Sequence, residues 1–170
     1  MADAPAHPER TPAQIEVEGE IAADYLETLL DLADMDGDID VQHEADRAVV
    51  SIVDSEEGTV PRRLVGPGAQ VLEALQELSR LAVQAETGER SRLMVDVAGY
   101  RADRRKALEQ LADRTVEAVR ESGTERSLEP MTAFERKVVH DRVLAGGLHS
   151  SSAGEEPNRY VVVSPAPAGE

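Results

Sequence analysis

Cysteine and tryptophan are absent from this 170-residue chain, which holds one phenylalanine and three tyrosines. Without cysteine there is no disulfide framework, no thiolate nucleophile and no cysteine-ligated zinc site, and a reducing cytoplasm is the natural setting. No uncharged apolar run approaches the roughly 18 residues of a membrane helix, and the first residues lack the order of a signal peptide. We therefore expect a cytoplasmic chain without membrane insertion, with a core of Leu, Val, Ile and Ala.

Acidic residues outnumber basic ones by 34 to 18, which gives a formal charge of −16. The imbalance is local, because residues 1–60 hold 17 acidic and 2 basic side chains, whereas residues 61–170 hold 17 and 16. A strongly negative chain normally repels nucleic acid. Residues 90–106 nevertheless hold six basic side chains and two acidic ones. The sequence is therefore compatible with a locally positive surface.

Hydrophobic periodicity predicts a first group of helices and strands. Residues 1–14 and 165–170 lack periodicity and are predicted to be disordered. Between them the pattern predicts a helix from Ile15 to about Gly37, a hairpin of strands at 39–43 and 48–53, a helix over 71–86 and a strand within 91–99. This α, β, β, α, β order, with helices on one face of a small sheet, is typical of an α+β domain.

A second group of elements follows. The pattern predicts a helix from Arg101 to about Gly123 and another over about 132–144, with Thr132 as N-cap and Glu135 completing a capping box. Residues 149–154 are predicted to be a flexible linker before a strand at 159–163.

Gly66, Pro67, Gly68 and Ala69 stand where the chain enters the helix over 71–86. A glycine-rich entry to a helix can present backbone N–H groups to a phosphate, or it can be a tight turn that needs small residues. No nucleotide-triphosphatase loop is present, and Pro67 offers no N–H donor. Both interpretations stay open on these four residues.

Arg136 and His140 lie four residues apart in the last predicted helix and therefore share one face. They can jointly contact a phosphate or a base, or they can form a solvated face with an intrahelical contact. Arg101, Arg104 and Arg105 occupy the first turns of the preceding helix, where positive charge is mildly unfavourable against the helix dipole. A solvated face is the ordinary interpretation of that run, and a binding role is the alternative.

Enzymatic and metal-dependent functions find no support in the sequence. The four histidines, at positions 7, 43, 140 and 149, form no ligand pair at helical spacing. The acids that follow Asp34 resemble the start of a calcium loop, but Ile39 and Ala45 stand where that loop needs glycine and an acid. The serines at 150–152 lie in the predicted linker without a nucleophile-elbow pattern. We expect no catalytic residue, no metal and no cofactor.

Two longer segments carry a family resemblance: RSRLMVDVAGYRADRRKALEQLA, and LEPMTAFERKVVH followed by SSSAGEEPNRYVVVSP. From about Asp38 to the C-terminus the chain resembles the Jag (SpoIIIJ-associated, or KhpB) family, in which a KH domain precedes an R-three-H domain. Arg136 and His140 match the R-x-x-x-H signature. The resemblance implies a type II-like KH domain at 15–98, with the acidic helix as its first element, and an R-three-H domain at 99–164.

The resemblance also implies a function. It indicates a non-enzymatic, cytoplasmic protein that binds single-stranded RNA as an RNA chaperone or post-transcriptional regulator, with single-stranded DNA left open as a ligand. The implied partner is a KH-only protein called KhpA or a second copy of the chain, and the implied process is cell elongation, cell shape and peptidoglycan homeostasis. The R-three-H contacts would come from basic side chains, namely Arg136, His140, Lys137, Arg101, Arg104 and Arg105.

The KH loop departs from the family pattern. A KH domain clamps about four nucleotides across a G-x-x-G loop. By position that loop is Gly66–Ala69, so its second glycine is replaced by Ala69 and its central pair is Pro67 and Gly68. A weaker phosphate grip is expected, and Arg62 and Arg63 just upstream are candidates to supply charge. The alternative hypothesis is a protein-interaction adaptor whose KH domain dimerises and no longer binds RNA; salt sensitivity separates the two.

Overall fold

The computed structural model describes residues 10–166 and divides the chain into two compact units, residues 1–101 and residues 102–170. The first unit contains α1 (Pro12–Leu32), β1 (Asp38–Glu44), β2 (Arg47–Val53), short 3₁₀ turns at Arg62–Leu64 and Pro67–Ala69, α2 (Gln70–Thr87) and β3 (Met94–Val97). The second contains nearly all of α3 (Tyr100–Ser122), then β4 (Arg126–Ser127), α4 (Ala133–Ala145), β5 (His149–Ala153) and β6 (Tyr160–Ser164). The unit boundary falls three residues after the predicted one, inside the first turn of α3.

The start of α1 corrects the prediction that residues 1–14 are disordered. Residues 1–9 lie outside the described part of the chain, but α1 begins at Pro12 behind a capping box in which Thr11 and Gln14 exchange side-chain hydrogen bonds. Arg10 pairs with Glu18, at 3.3 Å from its Nε atom, and with Glu89. Composition missed this start because the cap is polar and one partner of Arg10 lies far away in sequence. At the other end, residues 167–170 of the predicted tail lie outside the described residues.

The first unit packs two helices on one face of a three-stranded sheet. The strand order is β1-β2-β3, with β1 antiparallel and β3 parallel to β2. The parallel pair requires a crossover, which α2 provides. Val50 and Ile52 of β2 are fully buried in one core with Leu26 of α1 and Leu72 of α2. The predicted hairpin and the α+β class are confirmed.

The second unit builds its own core from α3, α4 and an antiparallel sheet of order β4-β6-β5. Val161 and Val163 of β6 share this core with Leu108 of α3 and Val139 of α4, all of them buried. The predicted capping box is confirmed, since Thr132 caps α4 and Glu135 bonds back to the Thr132 amide. α4 is therefore held at a defined start against the sheet.

Residues 149–153 correct the prediction of a flexible linker, because they form β5. Serine has a low strand preference, which is why the segment has linker composition. Pairing with β6 outweighs this, as Ser150 lies opposite Val163 and Ser152 opposite Val161. Because side chains alternate along a strand, Ser150 and Ser152 share the sheet face of those two buried valines.

Within residues 10–166, no helix is long and apolar enough to cross a membrane.

The two units differ sharply in charge. Residues 1–101 hold 22 acidic and 8 basic side chains, a net charge of −14, whereas residues 102–170 hold 12 and 10, a net charge of −2. Electrostatic repulsion of a polyanion therefore comes mainly from the first unit.

Candidate nucleic-acid interface

Arg136 lies in the interior of the second unit. Its side chain is 7% exposed, and one guanidinium nitrogen donates to the Met131 carbonyl at 2.8 Å while the other donates to Glu156 Oε1 at 2.8 Å. The Met131 amide in turn donates to the carbonyl of Arg159. Arg136 thus ties α4 to the segment before it and to the turn between β5 and β6.

His140, one turn further along α4, faces β5. Its Nδ1 atom lies 2.7 Å from Ser150 Oγ and its Nε2 atom lies 2.9 Å from Ser152 Oγ. Burial, reinforced by the nearby charges of Arg136 and His149 and opposed by Asp141, lowers the pKa of His140 below its usual 6.5. The neutral ring that this favours has one donor and one acceptor nitrogen, so one serine accepts a hydrogen bond and the other donates.

A groove between α3 and α4 lies beside Lys137 and Arg105. It has a volume of about 250 Å³, and Arg105 and Glu109 of α3 line it together with α4 residues that include Phe134, Lys137 and Asp141. The guanidinium carbon of Arg105 lies 5.6 Å from the centre of the Phe134 ring, and Lys137 Nζ pairs with Asp141 at 3.1 Å. The structure therefore brings Lys137 and Arg105 together, while Arg136 and His140 are engaged with other partners.

Arg104 is partly neutralised at the start of α4. Its Nε atom lies 2.6 Å from Glu135 Oε1. Burial disfavours ionisation of Glu135, but hydrogen bonds from Arg104 and from Thr132 outweigh it and lower the pKa of this carboxyl. Arg104 thus contacts the capping box of α4.

Arg101 corrects the predicted grouping, because it lies in the first unit rather than on the R-three-H surface. Its side chain donates to the Val95 carbonyl at 2.9 Å, to Glu73 at 3.1 Å and to Gln76 at 3.1 Å. Its backbone amide donates to Asp96. Spacing along one helix grouped Arg101 with Arg105, but the partners of Arg101 come from α2 and β3.

Sequence reasoning missed several residues that shape the second unit. Arg142 and Asp113 form a two-point pair at 2.7 and 2.8 Å that joins α4 to α3, and the hydrogen bond from Arg142 lowers the pKa of Asp113. The two serines that hold His140 lie in a segment predicted as linker. Phe134 carried a usable signal, since it is the only phenylalanine and stands two residues before Arg136.

The Gly66–Ala69 loop enters α2 in a left-handed backbone conformation. Gly66, Gly68 and Ala69 have φ values of 72°, 57° and 60°. A Cβ atom at Gly66 would collide with the Val71 side chain, so that glycine is sterically required, whereas Gly68 faces open space. Ala69 is an L-residue in a region that normally favours glycine, which costs about 1–2 kcal/mol.

Most amides of this loop are already used. The N–H groups of Gly66, Ala69, Gln70, Val71 and Leu72 donate to backbone carbonyls. Pro67 has no N–H, so among the described contacts the amide of Gly68 alone is left for a ligand. Arg62 and Arg63 are exposed on the preceding 3₁₀ turn. The loop therefore offers a phosphate one amide and two nearby cations.

Comparison with known proteins identifies the second unit. Residues 106–165 match the R-three-H domain family, and this range holds Arg136, His140 and both serines that contact His140. An RNA-binding protein KhpB of Bacillus subtilis is 32% identical over 143 residues, which cover 82% of this chain and 67% of that protein. The chain belongs to the KhpB family. The predicted resemblance is confirmed.

Other KhpB relatives show how much of the family architecture this chain spans. The Clostridium symbiosum protein is 30% identical over 148 residues, covering 84% of this chain and 64% of the relative. The Streptococcus pneumoniae protein (strain D39) is 32% identical over 142 residues, covering 82% of this chain and 42% of the relative. Both are named RNA-binding protein KhpB. The chain thus spans less than two thirds of the length of these two relatives.

Proposed function

We propose that this chain binds single-stranded RNA through its R-three-H unit and acts in the cytoplasm as a non-enzymatic RNA chaperone or post-transcriptional regulator. The observation that carries the proposal is the R-three-H match over residues 106–165, which falls within the compact unit of residues 102–170. That unit has a net charge of −2 against −14 for the first, so it repels a polyanion far less than the first unit does. The names of the relatives support RNA as the nucleic acid.

We assign different tasks to the basic residues of this unit. Arg136 and His140 hold α4, β5 and the β5–β6 turn in place, and an incoming phosphate reaches Arg136 by replacing the exposed Glu156 carboxylate, which is 58% exposed. Direct phosphate contacts come from exposed cations, namely Arg104, Arg105 and Lys137. Such contacts position a nucleic acid strand without reading its sequence. Single-stranded DNA is therefore a second ligand to test.

The first unit is proposed to be a type II-like KH domain with a weak phosphate grip. The single available amide of the Gly66–Ala69 loop supports a small contribution to RNA affinity. Its role is then to pair with a KH-only protein such as KhpA, or with a second copy of the chain. The link to cell elongation, cell shape and peptidoglycan homeostasis rests on the family alone.

A fluorescence-anisotropy titration of a short single-stranded RNA tests the proposal. We compare the wild type with three double variants that each remove two positive charges. Each protein is titrated at about 50 mM and at about 200 mM salt, because counterion release lowers affinity strongly over this range. The variants are Arg105→Gln/Lys137→Gln in the R-three-H unit, Arg62→Gln/Arg63→Gln beside the KH loop, and Arg114→Gln/Arg126→Gln as a control. Arg114 is half a helical turn from Arg105 in its projection around α3, and both control residues are exposed.

Loss of salt-sensitive binding in the first variant alone supports RNA on the R-three-H unit. Each lost phosphate contact lowers the slope of log affinity against log salt by about 0.7 for a single strand, so the first variant should lower it by about 1.4. An equal loss in the control variant would show that only net charge matters. Loss confined to the Arg62/Arg63 variant would transfer the site to the KH loop.

The second candidate function is the protein-interaction adaptor. The observation that favours it is again the loop, whose amides are nearly all internally bonded. An adaptor would show no RNA binding by the wild type at low salt, together with self-association or KhpA binding that persists at high salt because apolar contacts are weakly screened. That pair of results would replace the RNA-binding proposal.

A further inference from the structure

Phe134, the only phenylalanine in the chain, lies on the surface rather than in a core. Its side chain stays 55% exposed on α4, although the core of the second unit is built from aliphatic residues. One exposed apolar residue is ordinary on a protein surface, so exposure alone identifies no site. Its neighbours in the groove between α3 and α4 give the ring a chemical context.

Arg105 covers one side of that ring. Its guanidinium carbon lies 5.6 Å from the ring centre. The salt bridges found on α3 and α4 in the described residues do not use Arg105; their basic partners are Arg101, Arg104, Arg136, Lys137 and Arg142. A guanidinium plane and an aromatic ring are the two protein surfaces on which unpaired bases stack. Arg105 and Phe134 therefore lie together as two stacking surfaces, which we call the Phe134–Arg105 platform.

The groove beside this platform suits one base with its backbone. It has a volume of about 250 Å³. Besides Phe134, its lining combines the apolar residues Val138 and Ala145 with three cations and two acids, namely Arg105, Lys137, Arg142, Glu109 and Asp141. Lys137 pairs with Asp141 only at the surface, where both side chains are more than 60% exposed. Such exposed pairs are weak, so a phosphate can compete for Lys137.

We propose that the Phe134–Arg105 platform binds one unpaired nucleobase of a single strand, with Lys137 contacting the neighbouring phosphate. This proposal rests on the proposed RNA binding and specifies where a base is held. Stacking tolerates every base because each has a π-face, so the site adds affinity with little sequence preference. A short peptide is the competing occupant of the groove, and its binding would not require a nucleobase.

A tryptophan reporter tests the stacking directly. The chain has three tyrosines but no tryptophan, so Phe134→Trp places one tryptophan, which can be excited selectively, on the platform. Stacking of a base on the indole should quench its emission in proportion to RNA bound. A strand of the same length with abasic sites carries the same phosphates and should bind without this quenching. Equal quenching by both strands, or quenching by neither despite binding, would overturn the proposal.

Affinity measurements on a second variant keep the test independent of the reporter. Phe134→Leu keeps an apolar side chain but removes the π-face, and it should weaken RNA binding by roughly 5- to 150-fold, the range of one base stack. The salt slope should stay unchanged, because no charge is removed. Leu144→Ala is the control, since Leu144 is 74% exposed on α4 and does not line the groove.

The outcomes distinguish failure of the base site from failure of the RNA-binding proposal on which it rests. Wild-type binding that Phe134→Leu leaves intact would overturn the base site while RNA binding stands. No wild-type binding to either strand would overturn both proposals. A loss in Phe134→Leu that is equal for normal and abasic strands would show that the groove binds backbone or supports the fold, and would also overturn the base site.

Discussion

Replacing Arg136 with methionine should separate the structural role of the signature arginine from RNA contact. The substitution removes the guanidinium and keeps a long, adaptable apolar side chain in the same space. We expect the second unit to lose stability because the two internal hydrogen bonds of Arg136 disappear. RNA affinity calculated from the total protein concentration would then fall partly because a smaller fraction of the protein is folded.

The size of the expected stability loss follows from the environment of each Arg136 hydrogen bond. The bond to the Met131 carbonyl is buried, and a buried hydrogen bond to a charged donor contributes about 1.5–3 kcal/mol. The bond to Glu156 contributes about 0–1 kcal/mol, because that carboxylate is 58% exposed and screened by water. The free energy of unfolding of the second unit should therefore fall by about 2–4 kcal/mol in Arg136→Met.

Urea denaturation measures this loss if the probe reports on the second unit alone. The Phe134→Trp background supplies such a probe on α4, which matters because two compact units need not unfold in one transition. Glu156→Gln is the matched control and should cost no more than about 1 kcal/mol. Equal losses in both variants, or no loss in Arg136→Met, would refute the assignment of the dominant contribution to the Met131 contact.

Three further predictions concern the loop and the histidine. Ala69→Gly should stabilise the first unit by about 0.5–1 kcal/mol in urea denaturation, because relief of the left-handed strain exceeds the added entropy of the unfolded chain; a destabilised variant would contradict this. Gly66→Ala should destabilise the same unit more than Gly68→Ala does, since a Cβ atom meets Val71 only at Gly66; equal midpoints would contradict the steric argument. Because the folded-state pKa of His140 is lowered, its stabilising effect is complete above about 6.5 and is lost as the pH falls below that value. The melting temperature of the second unit should therefore drop on acidification from neutral pH, and His140→Gln should show a smaller drop; identical pH profiles would remove His140 as the cause.

The fold was largely predictable where periodicity and local chemistry agree. The capping box at Thr132 and Glu135 predicts the start of α4, and alternating apolar residues predict β2. β5 was missed because its serines carry no strand signal, and its partners are β6 and a histidine on another element. Pairing with β6 makes this segment a strand, and local composition does not reveal that pairing.

The spacing of the candidate residues could be read from the sequence, but their placement in the fold could not. Spacing four residues apart puts Arg136 and His140 on one face of α4, yet it does not tell an interior face from an exposed one. Burial of Arg136 depends on the Met131 carbonyl and on Glu156, which neighbouring sequence does not reveal. Arg101 shows the same limit, since its partners Glu73 and Gln76 are 28 and 25 residues away.

The uneven charge of the chain has a consequence for every salt titration of this protein. Residues 1–101 carry a net charge of −14, and their repulsion of RNA extends over a Debye length of about 30 Å at 0.01 M salt but only about 8 Å at 0.15 M. Added salt should therefore weaken the proposed phosphate contacts of the second unit while it also screens the repulsion from the first. These two effects oppose each other, so the plot of log affinity against log salt should be shallower at low salt than the number of contacts implies. Neutralising acids of α1 such as Glu20 and Asp24 should steepen the low-salt part of the plot, and leave its high-salt part unchanged.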